Sequence, residues 1–349
     1  MSVSTAPNPP ADIRTVAKRA RVSIATVSRV MNGITTVDPK LVARVVQAAE
    51  ELNYTPNTQA RALVSGKSGM IGLIISEITN PFFPELIQQF EDETVKRGYE
   101  MLIGSTNYSP SRMTQCIRRM VERKVEGVAV MTFGMDEDLL QELSSRGIPV
   151  VSVGSTQDLQ FATAIEVNHA QGIHEAIQHL AVMGHRAISY IGGSVDLLVG
   201  RQRQQAYVDS MAQLGVEVTP QQIFQGDHTM DGGLAAAEQM FASGPMPTAV
   251  LCYNDLTAIG LLHSLSRHGL RVPEDISVVG FDDIHMAQFT IPPLTTIRMS
   301  CSDLATVALD ALPLTPAHTK PSKPKPNRVV PTHLIVRQST GFLRLPPSS

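Results

Sequence analysis

From Met70 onward, short runs of β-branched residues alternate with helical segments, and the series runs twice. Such alternation is what a parallel sheet with crossover helices requires, because parallel neighbours cannot be joined by a tight turn. Strands are expected at 71–76, 99–105, 127–131 and 150–153, with helices over 84–97, 111–123 and 136–146. The second series has strands at 164–167, 187–191, 222–225, 248–252 and 276–280, with helices over 169–183, 201–214, 230–242 and 255–268. Two series of this length predict two parallel sheets facing a cleft rather than one open sheet. Ligands of open α/β sheets meet the carboxyl ends of the strands, so that cleft is the expected small-molecule site.

The chain ahead of Met70 has a different period. Ile13, Val16, Ala17 and Ala20 follow helical spacing, and Ser23 precedes a second stripe of Ala25, Val27, Val30 and Met31. A third helix should start at Asp38-Pro39, a capping residue followed by proline, and stop near Asn53-Tyr54-Thr55-Pro56. Residues 1–10 are rich in Pro, Ser and Asn and predict a disordered tail. Near the other end Pro313, Pro316, Pro321, Pro324 and Pro326 mark a Pro/Lys-rich loop over 313–328, before a last strand at 329–337 and a tail at 342–349.

Charge divides the chain at the same place. The net −3 conceals a balance of +5 over residues 1–68 and −14 over residues 69–319. A basic module for a polyanion joined to an acidic body is the implied arrangement. Three cysteines without C-x-x-C spacing form no disulfide framework or zinc site. The amino-terminal stretch lacks a basic start and an apolar run, and no 18-residue apolar segment exists, so a cytoplasmic protein without membrane contact is expected.

Residues 15–32, TVAKRARVSIATVSRVMN, read as a helix-turn-helix whose second helix fits the major groove. On that helix Ser23, Thr26 and Ser28 suit phosphates or bases, Ile24 and Ala25 suit apolar contact such as a thymine methyl, and Arg29 suits bidentate contact with guanine. A basic surface on an ordinary three-helix domain is the competing reading.

This stretch, with Val37-Asp38-Pro39 and residues 52–57 (LNYTPN), resembles the amino-terminal domain of the lactose/galactose-repressor (LacI/GalR) family of bacterial transcription regulators. The resemblance continues through residues 65–67, 71–74, Asn80-Pro81-Phe82-Phe83, Gly184-His185-Arg186, 269–283 and 293–297, and spans about residues 12–341. It implies a helix-turn-helix domain over 11–56 and a hinge helix or linker over 57–69. A two-lobe, periplasmic-binding-protein-like α/β domain over 70–341 then serves effector binding and dimerisation. The resemblance implies that the first lobe takes about 70–160 and 284–299 and the second about 161–283 and 300–341.

Carried onto this chain, the resemblance implies that Ile24, Ala25 and Arg29 read bases, while Ile13, Arg14, Ser23, Thr26, Ser28 and Asn32 lie near phosphates or support the helix. Asn57, Ala60 and Leu63 fall in the implied hinge helix, where Leu63 matches a minor-groove wedge. Arg21 stands where the family usually has glycine, and Ile24-Ala25 is an unusual specificity pair. For the cleft it points to Arg203, Asn254 and Asp282, an inventory of donors and acceptors suited to a polyhydroxylated ligand. Phe82 and Phe83 either stack on a sugar face or cover the core, and Asp227 and His228 are further candidates for the lining.

Other constellations fail on geometry. His169, His174 and His179 lie five apart on one helix, about 140° per step, and share no metal-binding face. Gly192-Gly193-Ser194 matches no dinucleotide or nucleophile-elbow motif. No catalytic set, metal site or cofactor is therefore expected. The expectation is a homodimeric regulator, in its commoner family role a repressor, that binds double-stranded operator DNA and responds to a sugar-like effector. A sugar-binding protein of the periplasmic type is the alternative from another class, and a two-domain enzyme is the third.

Overall fold

The computed structural model describes residues 11–31, 36–55, 67–132, 137–154, 162–314 and 328–344. The tail at 1–10, Asn32, the segment with Asn57, Ala60 and Leu63, most of the 313–328 loop and the last five residues lie outside them. The chain divides into two compact units, Met1–Ser68 and Gly69–Ser349. The first therefore coincides with the stretch that carries +5. Among the described residues no helix is long and apolar enough to cross a membrane.

The described residues of the first unit form three helices, α1 (Ile13–Ala20), α2 (Ile24–Met31) and α3 (Pro39–Glu51). Each begins on a polar side chain that satisfies an otherwise unpaired backbone N–H. The Asp12 carboxylate accepts from Thr15 N–H at 2.8 Å, the Ser23 hydroxyl from Thr26 N–H at 3.1 Å, and the Asp38 carboxylate from Lys40 N–H at 2.7 Å. Val16, Ala17, Ala20, Val27, Val45, Ala48 and Ala49 form the buried centre. Arg21 ends α1 at φ 53°, a left-handed position that glycine fills more cheaply. The Arg44 guanidinium donates to the carbonyls of Ala20 and Arg21, tying α3 to that turn.

The described residues of the second unit form eleven strands: β1 (Met70–Ile75), β2 (Glu100–Ser105), β3 (Val128–Met131), β4 (Val150–Val153), β5 (Thr163–Asn168), β6 (Ile188–Gly192), β7 (Ile223–Gln225), β8 (Ala249–Cys252), β9 (Ser277–Asp282), β10 (Thr295–Met299) and β11 (Val329–Ile335). Between them run α4 (Phe82–Lys96), α5 (Pro110–Glu122), α6 (Glu137–Ser145), α7 (His169–Val182), α8 (Leu198–Gln213), α9 (Met230–Ala242), α10 (Asp255–Arg267) and α11 (Cys301–Ala311). The order across the sheet is β2-β1-β3-β4-β5-β11-β10-β9-β8-β6-β7. Strands β1 to β5 form the first half of the sheet and β6 to β10 the second. β11 joins them, parallel to β5 through Val329–Pro331 and antiparallel to β10 through Thr332–Ile335. The two expected sheets thus form one hydrogen-bonded series with β11 as the joint.

The lobe boundaries differ from the expected 70–160 with 284–299 and 161–283 with 300–341. β5 pairs with β4, so residues 163–168 belong to the first half. β10 pairs with β9, which places 295–299 in the second half, and α11 packs against α4, which returns 301–311 to the first. The twelve residues between β9 and β10 suffice for a parallel crossover without a full helix, which is why β10 carries no strand-helix-strand signature. The chain therefore crosses between halves at Asn168-His169, at Met299–Cys301 and within β11.

Candidate functional site

The exposed edge of the first unit lies at the start of α2. Ser23, Ile24, Ala25 and Arg29 are exposed and Thr26 and Ser28 half-buried, whereas Val27 on the opposite face is wholly buried. Ile24 stands 47% exposed, an apolar side chain held in solvent at a helix amino terminus. The Ser23 hydroxyl is engaged at home, 2.9 Å from that of Thr26. Arg14 is exposed, and Ile13 is half-buried against the three-helix core.

In the second unit the cleft candidates gather beyond the carboxyl ends of the strands. Arg203 stands in the buried stripe of α8, with Val199, Gly200, Ala206 and Tyr207, where an apolar residue would serve packing equally well. Its guanidinium donates to the Tyr253 carbonyl at 2.7 Å and lies 3.5 Å from the Asp282 carboxylate. It also covers the Phe281 ring at 3.6 Å and the Tyr253 ring at 4.8 Å from their centroids, which offsets part of its desolvation. Gly193 makes room for Tyr253, since a Cβ there would lie 2.8 Å from the ring.

Asp282 closes β9 at φ 108°. Burial pushes its carboxyl up to about 6, although Arg203 and a hydrogen bond from Asn80 favour the charged form. Its neighbour Asp283 accepts from Arg298 and Arg337, each at 2.6 Å. Asp282 also borders a groove of about 500 Å³ with Glu85, Asp283, His285, Arg298 and Cys301.

Asn254 and the phenylalanines serve the frame. The Asn254 amide accepts from Thr257 N–H at 2.8 Å, capping α10, and donates to the His228 carbonyl at 2.8 Å. Phe82 and Phe83 meet edge to face at 5.5 Å within the main core and are 4% and 6% exposed. Of the two alternatives for these rings, core coverage describes this structure.

The His228 ring lies 5.3 Å from that of Tyr253, and burial lowers its pKa against the pull of Glu77 and Asp227. Asp227 accepts from the Thr229 hydroxyl and N–H at the start of α9. His169, at the start of α7, lies 5.7 Å from the Phe281 ring, and burial, reinforced by Arg203, holds its pKa well below the ordinary value. His169 Nδ1, Arg203 Nε and His228 Nδ1 are buried polar atoms without a hydrogen-bond partner, and all three adjoin Phe281 or Tyr253. Native structures leave few such atoms, and a cluster beside a cleft fits a polar ligand. His169, Phe281 and Tyr253 were not singled out from the sequence as ligand neighbours, although each adjoins the carboxyl end of a strand.

A pH dependence follows from His169. Its folded-state pKa is depressed, so its contribution is fully present above about 6.5 and is lost as pH falls below that value. His169→Gln is expected to reduce the slope of unfolding free energy against pH between pH 6 and 5, by at most about 1.4 kcal/mol per unit, the value for one proton. Urea unfolding at the two pH values measures it, and an unchanged slope contradicts the assignment.

Comparisons with known proteins cover nearly the whole chain. The family model "Bacterial regulatory proteins, lacI family" matches residues 12–57, and "Periplasmic binding protein-like domain" matches residues 177–340. The transcriptional repressor PurR of Photobacterium profundum is 33% identical over 303 residues, 86% of this chain and 91% of that one. A crystal structure of the lac repressor dimer bound to operator and the anti-inducer ONPF superposes with a TM-score of 0.83 at 26% identity, covering 95% of this chain and 100% of that one. The complex of the transcriptional regulator CelR with cellobiose superposes with a TM-score of 0.67 at 28% identity, covering 94% and 99%.

Proposed function

The chain belongs to the lacI family of bacterial regulatory proteins, and on that premise we propose that it is a cytoplasmic, homodimeric repressor that binds a pseudo-palindromic operator and responds to a sugar-like effector in the cleft. The observation that carries this reading is the pairing, in one chain, of the exposed Ile24, Ala25 and Arg29 edge with the buried Arg203–Asp282 pair and its unpartnered neighbours.

On DNA, Ile24 and Ala25 supply apolar contact and Arg29 two parallel donors to a guanine, while Arg14, Thr26 and Ser28 meet phosphates. In the cleft, Asp282 accepts from a ligand hydroxyl and Arg203 donates through its free Nε, an arrangement suited to neighbouring hydroxyls. Met286, Phe289 and Ile291, 48%, 69% and 95% exposed, follow Asp283 directly and offer an apolar surface for a second copy. Effector binding at Asp282 then acts close in the chain to the surface that sets the geometry of the dimer. A shift between two dimer arrangements alters how the two heads, joined through residues 57–69, meet the operator.

Fluorescence anisotropy on a duplex selected from random sequence, with and without a panel of sugars and sugar phosphates, tests this reading. One compound is expected to change the Kd by about five-fold or more, the lower range of allosteric coupling. A Kd indifferent to every compound contradicts the sugar-like effector. Arg29→Ala is expected to weaken the selected duplex by about 1–3 kcal/mol more than random DNA. Equal losses on both contradict base reading by this side chain.

A further inference from the structure

Among the described residues eight non-glycine positions have positive φ. Arg21, Asn53 and Lys124 follow helix ends, where a left-handed residue closes the last turn. The other five lie at or just beyond the carboxyl ends of strands: Asn107 and Tyr108 after β2, His228 after β7, Asp282 and Asp283 at the end of β9. Such conformations cost energy and persist only where the surroundings impose them, so their grouping at one edge needs a reason. Asp282 and Asp283 have theirs in Arg203, Arg298 and Arg337. Tyr108 and His228 belong to opposite halves of the unit, and their rings lie 5.7 Å apart with 32° between the planes.

We propose that Tyr108 and His228 form a clasp across the cleft that holds the two halves together, so that an entering effector has to part their rings. The second clause rests on the reading of the cleft as the effector site, whereas the clasp itself does not. Tyr108 is 37% exposed, and its hydroxyl donates to the Glu77 carboxylate at 3.1 Å, which fixes the ring over the cleft from the first half. His228 is fixed from the second half by the Asn254 amide on its carbonyl and by the Tyr253 ring. Glu77, Asp227 and Arg203 are the charged groups that act on the imidazole, and burial keeps it neutral against the two acids. A neutral ring stacks without the desolvation cost of a cation, and its Nδ1 is left without a partner.

Hydrogen exchange of the ligand-free, full-length protein tests the clasp without knowledge of the effector. Peptides over residues 104–110 and 224–230 report the two loops. Tyr108→Ala and His228→Asn, the latter chosen because asparagine tolerates positive φ, are each expected to raise exchange about ten-fold in both loops. The double variant is expected to add nothing further, because either change alone releases the clasp. Tyr108→Phe keeps the ring and loses only the Glu77 bond, and exchange over 224–230 is expected to stay within about two-fold of the original. If Tyr108→Ala loosens residues 104–110 alone, or if the two effects add in the double variant, the clasp is overturned. Because no effector enters the experiment, its failure leaves the reading of the cleft to be judged by the anisotropy test.

Discussion

Val27→Asp is expected to abolish DNA binding while leaving the larger unit folded. Val27 is the buried residue of α2 and has no exposed surface. The core that it completes consists of three valines and four alanines. Removing the side chain forfeits about 2 kcal/mol of apolar burial, and a carboxylate in its place adds a desolvation cost of several kcal/mol more. A unit of this size holds only about 7 kcal/mol in total, at roughly 0.1 kcal/mol per residue. The three helices therefore come apart, and Ile24, Ala25 and Arg29 lose their common edge. Loss of DNA binding by anisotropy, with an unchanged main unfolding transition by circular dichroism, is the expected result. Retained binding contradicts the assignment of α2 as the DNA-facing helix.

Arg203→Ala is expected to eliminate the response to effector while operator binding persists. The substitution removes the donor to the Tyr253 carbonyl, the cover over Phe281 and the partner of Asp282. Leaving a buried charge alone usually costs about 3–5 kcal/mol, but Asp282 has an escape. Burial already pushes its carboxyl up to about 6, so near neutral pH it takes up a proton at little cost, which caps that part of the loss. The unit therefore stays folded, and anisotropy distinguishes loss of response from loss of structure. An undiminished response places the effector elsewhere.

The structure explains which parts of the fold and site could be read from the sequence. The helical stripes of α1 and α2, the Asp38-Pro39 start and the alternation after Met70 are local patterns, and the expected elements match the observed ones to within about three residues at most ends. The path between halves is not local. β10 and α11 are separated by one residue yet lie in opposite halves, and only strand pairing and helix packing distribute them. The site divides in the same way. Arg203 and Asp282 are implied by the family resemblance, and the structure places them as a charged residue in a buried helical stripe and an acid at a strand end. Asn254 and Phe82-Phe83 carry equally prominent motifs but serve as a helix cap and as core. Tyr108 meets the His228 ring and His169 the Phe281 ring through loop geometry and burial, which no spacing encodes.

The central claim is that the +5 head is a sequence reader joined to a sensing body. Repeated selection of a random duplex library by the full-length protein, followed by sequencing, tests it most directly. Convergence on two half-sites related by a two-fold axis is the expected result, as a dimer presenting two copies of α2 requires. A selected pool indistinguishable from the starting library would contradict it.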